Sequence, residues 1–282
     1  MTREERRCIL ITGCSSGIGR TCALGMMARG WRVFATARRE EDIEALKDMG
    51  LDALYLDYDE PESIAACVSD VLRLSGGRLD ALFNNGAYGQ PGAVEDLSRE
   101  VLRRQFETNV FGWHDLTRQV IPVMRAQGHG RIVNNSSVLG LVAMKWRGAY
   151  NASKFAIEGL TDTLRLELRG SGIFVSLIEP GPIFSKFTET ALRHFRENID
   201  IEHSYWRTYY KKRMQTLKGE GRPNPFKLPP EAVLKKLVHA VESPRPKPRY
   251  YVTVPTHVMA MLKRLLPTRW LDALLDRASD RT

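Results

Sequence analysis

No apolar run in this 282-residue chain approaches the roughly 20 residues needed to cross a bilayer, which argues against a helical membrane protein. Its start, "MTREERRCILITG", lacks the apolar core and small-residue cleavage site of a signal peptide, so the expected location is cytoplasmic. Cysteine is scarce: Cys8, Cys14, Cys22 and Cys67 are the whole complement, and reduced thiols are expected in that compartment. None is spaced as C-x-x-C and no paired histidine set accompanies them, so no metal site is expected. Internal repeats and low-complexity segments are missing too. With 43% hydrophobic residues the chain can bury a large core, and one large α/β domain is the expectation.

The formal charge of +9 is unevenly placed. Residues 186–282 hold 20 Lys/Arg against 10 Asp/Glu, while residues 1–185 hold 22 against 23. A basic last third suits an anionic membrane surface, nucleic acid or a merely solvated face. Before it, short apolar runs alternate with helical patterns: "CILIT", "RVFATA", "ALYLD", "ALFNN", "GRIVNNSS" and "IFVSLIEPG", with helices expected at about 18–29, 40–49, 61–74 and 97–127. Runs apolar on both faces suit parallel strands covered by helices, so the pattern predicts a doubly wound parallel sheet of about seven strands, Rossmann-like. The rhythm stops after Gly181; residues 184–228, basic and aromatic, read as a helical insertion. A helix at about 230–241 and a last strand "YYVTVP" follow.

"ILITGCSSGIGR" sets Gly13, Gly17 and Gly19 between the first strand and the first helix, with Ser15, Ser16 and Ile18 between them. Glycines there let backbone approach a pyrophosphate at a helix N-terminus; an ordinary βα turn is the alternative. The second strand ends "ATARRE", with Ala37 where a 2′-hydroxyl reader would carry an acid. Arg38 and Arg39 after it favour a 2′-phosphate, unless they only pair with Glu40 and Glu41. Asp57 could accept from an adenine amino group or cap the helix starting near Pro61. Asn84 and Asn85, before Gly86 and Ala87, could fix a cofactor or only a turn. In "YNASK" Tyr150 and Lys154 stand four apart on one helix face, where a cation beside a phenol favours the phenolate.

"TGCSSGIG", "NNGA", Asn109, Ser137, "YNASK" and "EPGPIFS", in that order, resemble the short-chain dehydrogenase/reductase family over roughly residues 5–255. Ser137, 13 residues before Tyr150, has the family's usual spacing; the order Gly86-Ala87 reverses its usual Ala-Gly. "FATARR" and "YNASKFAIEGLTDTLRLEL" are most similar to members acting on retinoids and hydroxysteroids. The resemblance implies Tyr150 as general acid/base, Lys154 as its partner and holder of the nicotinamide ribose, and Ser137 on the substrate oxygen. It further implies a relay water at Asn109 and nicotinamide-amide contacts from Pro180, Gly181, Ile183 and Ser185. NADP(H) is the expected cofactor, bound also by the glycine turn, Arg38, Arg39, Asp57, Asn84, Asn85 and Gly86.

An apolar small-molecule substrate is expected at Ser137, Met144, Trp146, Tyr150, Phe184 and Phe187, although aromatics of the insertion could simply pack beneath it. A 3-oxoacyl-thioester reductase and a non-catalytic nucleotide sensor stand as alternatives. The domain is placed at 1–255, with the lid at 184–228, and an amphipathic tail at 256–282 divided by Pro267. That tail could lie on an anionic membrane or pack on the domain or a partner subunit. No nucleic-acid partner is expected; a homo-oligomer is, by the dimer face that helices around Asn109 and Tyr150 form in many family members.

Overall fold

Every residue of the first strand, β1 (Cys8–Ile11), is buried, and alternation sends Cys8 and Leu10 into one core and Ile9 and Ile11 into another. A strand apolar on both faces needs helices on both sides of its sheet. The computed structural model, which describes residues 6–218 and 224–281, supplies them by regular alternation. After β1 come α1 (Gly17–Ala28), β2 (Arg32–Ala37), α2 (Glu40–Asp48), β3 (Asp52–Tyr55), α3 (Pro61–Ser75) and β4 (Ala81–Asn84). Pro61 opens α3, where its missing N–H costs nothing, and Gly76 at φ 68° closes it.

The expected long helix is two, α4 (Arg99–Phe106) and α5 (Gly112–Gln127), joined by a π-helical turn at Glu107–Phe111 that carries Asn109. Then follow β5 (Gly130–Asn135), α6 (Gly148–Glu167) and β6 (Ile173–Glu179). The insertion forms α7 (Phe187–Asn198) and α8 (Arg207–Lys218); residues 219–223 of the expected lid lie outside the described residues. The chain ends with α9 (Glu231–Glu242), β7 (Arg249–Tyr251), α10 (Val254–Leu265) and α11 (Thr268–Arg281). β7 is shorter than "YYVTVP" suggests, because Pro255 cannot donate to a ladder and instead starts α10. Pro267 separates α10 from α11 as the sequence implied.

All seven strands pair in parallel in the order β3-β2-β1-β4-β5-β6-β7. One core lies under α1, α2 and α9, the other under α3, α5 and α6. Ile9, Leu10 and Ile11 have no exposed surface, and such side chains contribute about 1.5–3 kcal/mol each. Strand order reverses between β1 and β4, which opens a crevice at the strands' carboxyl ends. Among the described residues no helix is long and apolar enough to cross a membrane, and no cluster of three His, Cys, Asp or Glu could hold a metal.

Candidate active site

At that crevice the glycine turn is dictated by sterics. A Cβ on Gly19 would lie 2.1 Å from the Gly13 carbonyl oxygen, and one on Gly13, at φ 66°, would lie 2.6 Å from the Gly86 Cα. Ser16 caps α1 in extended backbone without a side-chain hydrogen bond, and the first turn holds no acid. The leading N–H groups are thus left for an anion, so the turn fits a diphosphate. Ser15 offers its carbonyl to Arg20, Ile18 packs against the core, and Ser185 rests on Gly17. Asn85 braces the turn by donating to the Thr12 and Gly13 carbonyls at 2.9 and 3.4 Å. Gly86 sends its N–H to the Thr12 hydroxyl and takes the Trp113 indole N–H on its carbonyl.

At the end of β2, Ala37 is buried and the two arginines diverge. Arg39 pairs with Glu41 and Asp42, as the helix-start alternative foresaw in kind. Arg38 stays more than half exposed, with Nη1 3.5 Å from an oxygen of Asp57. Asp57 does not cap α3; its carboxylate accepts from the Asp59 N–H at 3.1 Å. Asn84 is not brought to the crevice by its side chain. It is fully buried, donating to Thr117 and Asn134 and accepting from Tyr58, because the last position of β4 points inward.

Ser137, Tyr150 and Lys154 meet at the carboxyl edge of β5. Ser137, after β5, has extended backbone and begins a 3-10 turn at Val138–Gly140, its hydroxyl accepting the Leu139 N–H at 3.1 Å and standing near enough to the Tyr150 phenol to favour its ionised form. Burial pushes that phenol up to about 12, against the lowering effect of Ser137. Lys154, 1% exposed, donates from Nζ to the Asn135 carbonyl at 2.8 Å and lies 4.3 Å from the Trp113 ring centroid and 5.6 Å from that of Tyr150. Burial drives it down to about 7, and the Glu158 carboxylate only partly offsets this. Burial is the largest influence on both groups, and for the phenol Ser137 and Arg147 act against it.

Asn109 clamps the loop after β4. Its amide donates to the Tyr88 carbonyl at 2.9 Å and Ser153 Oγ at 3.1 Å, and its oxygen accepts the Tyr88 N–H. π turns of this kind recur at functional sites. On the other side, Pro180 and Gly181 follow β6, and Gly181 is packed so tightly that a Cβ would meet Thr253 Oγ1 at 2.1 Å. Ile183 bridges to Leu228 at the foot of the lid.

Of the substrate-side residues, Phe187 reaches the centre: its ring stands edge-on to Tyr150 at 5.3 Å. Phe184 is half exposed beneath Lys227 and does not join it. Met144 fastens its carbonyl to the Asn151 amide. Trp146 holds φ 64°, a left-handed backbone that costs a non-glycine residue about 1–2 kcal/mol. Its ring stacks on Tyr209 at 4.3 Å and meets Trp206 edge-on at 4.6 Å, and its buried Nε1 has no hydrogen-bond partner among the described residues. Phe195 and Tyr210 simply pack beneath the insertion; Tyr205 is exposed. Thr12, Trp113 and Asn135 were not singled out from sequence. Only the place of Thr12 in "ITG" and of Asn135 in "NNSS" offered a signal.

A model described as short chain dehydrogenase matches residues 7–195. The chain is 42% identical over 270 residues to the uncharacterized oxidoreductase YbbO of Escherichia coli, covering 96% of this chain and 94% of that protein. Human retinol dehydrogenase 8 is 32% identical over 272 residues, covering 91% and 85%. A short-chain dehydrogenase structure from Streptomyces avermitilis superposes with a TM-score of 0.76 at 28% identity, covering all of both chains. Other structures of similar fold hold NADP(H) in some cases and NAD(H) in others.

Proposed function

Because the chain belongs to the short-chain dehydrogenase family of oxidoreductases, we propose that it is an NADP-dependent enzyme acting on a bulky apolar secondary alcohol or ketone, or an alcohol or carbonyl of retinoid or steroid type. The observation that carries this reading is the meeting of Ser137, Tyr150 and Lys154 beside an uncapped helix N-terminus. When bound, the cofactor supplies the hydride acceptor or donor and, in its oxidised form, a positive charge. The Tyr150 hydroxyl exchanges a proton with the substrate oxygen, and Ser137 orients that oxygen through its own hydroxyl. A phenol at about 12 beside an ammonium at about 7 keeps its proton, so a further positive charge near the ring is what brings the phenolate within reach at neutral pH. Asn109, its side chain engaged by Tyr88 and Ser153, would seat the relay water.

The N–H groups of Gly13–Gly19 and α1 would hold the diphosphate, Asp57 the adenine, and the stretch from Pro180 to Ser185 the nicotinamide amide. Arg38 would hold the 2′-phosphate: it is exposed beside Ala37, with no carboxylate at the strand end to repel that group. One such contact contributes about 1.5–3 kcal/mol, so NADP(H) is expected to be preferred roughly ten- to a hundredfold. Ala37→Asp with Arg38→Ala reverses the preference, read as catalytic efficiency with each cofactor at low ionic strength. A wild type that favours NAD(H) overturns the assignment.

Purified protein with NADPH and a panel of a steroid ketone, retinal and an acyl thioester tests the substrate class. Turnover of the thioester alone would favour an acyl-chain reductase; NADPH binding without any turnover would favour a nucleotide sensor. The similarity to human retinol dehydrogenase 8 supports the first class. For partners, exposed Phe111, Phe155 and Leu160 on the Asn109 and Tyr150 helices support a homo-oligomer. Met261, Leu265 and Trp270, exposed beside Arg264 and Arg269, support peripheral contact of a cytoplasmic protein with an anionic membrane. Sedimentation with phosphatidylserine vesicles that is lost in high salt would bear that out; no binding at low salt would leave packing on the domain.

A further inference from the structure

The tail contacts more than the outer surface of the domain. Thr253, which caps α10, packs against Gly181, and α10 lies beside the turn that follows Ser137. α11 reaches the loop before the catalytic helix. There the backbone N–H of Lys145 donates to Ser279 Oγ at 3.1 Å, and Lys145 Nζ pairs with Asp276 at 2.5 Å. Ser279 is buried at 5%, its hydroxyl donating to the Leu275 carbonyl one turn earlier, so it is held in place from its own helix.

Lys145 stands next to Trp146, whose left-handed backbone no turn glycine eases. Such a conformation persists only where the surroundings over-determine it. Three attachments do so. Gly92 donates to the Trp146 carbonyl at 3.0 Å, the Asn151 amide holds Met144, and α11 holds Lys145. The indole is thereby directed against Tyr209 and Trp206 of the lid.

We propose that α11 is a working part of the substrate site: Asp276 and Ser279 are positioning residues that fix Lys145, hence the Trp146 backbone, hence the wall that a bulky substrate meets. This rests on the dehydrogenase reading above only for its kinetic readout. A small ketone that reaches Tyr150 and Ser137 alone does not need that wall; a steroid-sized ketone does.

The test uses the full chain with Ser279→Ala, Asp276→Asn and the double variant, Ser279→Thr as conservative rescue, and Asp272→Asn, at an exposed position, as a control on the same helix. Asp276 is more than half exposed, so Asp276→Asn threatens folding least. Amide hydrogen exchange across residues 144–147 should quicken in the Ser279→Ala, Asp276→Asn and double variants, but not in the rescue or the control. With NADPH, the ratio of KM for a steroid ketone to KM for cyclohexanone should rise about tenfold in the double variant, from one hydrogen bond and one ion pair lost. Unchanged exchange at 144–147 overturns the latch. An unchanged KM ratio, or an equal loss of kcat on both ketones, overturns its role in substrate positioning and leaves α11 a structural prop. Should wild type reduce neither ketone, the dehydrogenase reading falls by itself, and the latch is judged by exchange.

Discussion

The two sides of the candidate active site are built by different means. The side proposed for the cofactor is backbone held at close quarters, Gly13 against Gly86 and Gly19 against the Gly13 carbonyl, with contacts that leave no room for a methyl group. The substrate side is side chain on side chain, an aromatic cluster of Trp146, Trp206, Tyr209 and Tyr210 joining the lid to the loop before α6. Backbone at contact distance tolerates one residue type, whereas packed rings tolerate many combinations of similar volume. The first side is thus suited to a constant ligand, the second to a changeable one.

The largest effect should come where the sides meet. Tyr150→Phe removes the exchangeable proton and keeps the ring, so kcat should fall by about 10²–10⁴ while NADPH still binds, as followed by nucleotide fluorescence. Near-normal turnover would move the acid/base role elsewhere. Lys154→Ala should weaken both turnover and binding.

Next comes the contrast itself. Gly19→Ala puts a Cβ within 2.1 Å of a carbonyl oxygen that cannot retreat, so NADPH affinity should drop by about a hundredfold, with only a smaller loss in melting temperature. Phe184→Ala, on a half-exposed ring outside the central cluster, should alter KM by less than about threefold. If calorimetry and kinetics gave the two variants similar effects, the distinction between the sides would fail.

The smallest effect concerns the foot of the cofactor side. Arg249 of β7 binds Glu158, Glu179 and Asp162 together, at 2.6 Å for the last two. Burial, and then the neighbouring Glu158, raises Glu179 to about 8 from an ordinary 4.5. The folded state then keeps a proton that the unfolded state releases. The stabilisation this gives is complete below pH 4.5 and is lost as pH rises through about 8. Glu179→Gln should flatten that decline, seen as a melting temperature that gains on wild type as pH goes from 5 to 8. An equal slope in both proteins would show Glu179 ionised throughout.

Much of the site was legible because its spacing is local. Gly13, Gly17 and Gly19 share one turn, and Tyr150 and Lys154 one helix face, so no knowledge of tertiary contacts was needed to place them together. Short runs apolar on both faces likewise predict a sheet covered on both sides. Between the two roles left open for Asn84, the buried side chain favours the structural one, and this depends on which residue ends β4, because one position turns an amide from crevice to core. For the phenol, i, i+4 spacing gives proximity but not solvation, and burial is the largest influence on both groups. The π turn at Asn109 and the reach of Ser279 to Lys145 depend on contacts across the chain that no periodicity carries.

The strand order has a consequence for how the chain is made. β1 pairs on one side with β2, Ile9 opposite Val33, and on the other with β4, Ile9 opposite Ala81. The second closure spans three times the sequence of the first and costs about 1 kcal/mol more in chain entropy. It also has to wait until β4 has left the ribosome. Until then the nascent chain carries a strand of Cys8, Ile9, Leu10 and Ile11 with one bare edge, the kind of surface that recruits other strands. A ribosome stalled before residue 81 would therefore release a fragment prone to aggregate, and β1, fully buried in the finished protein, would be its most adhesive part.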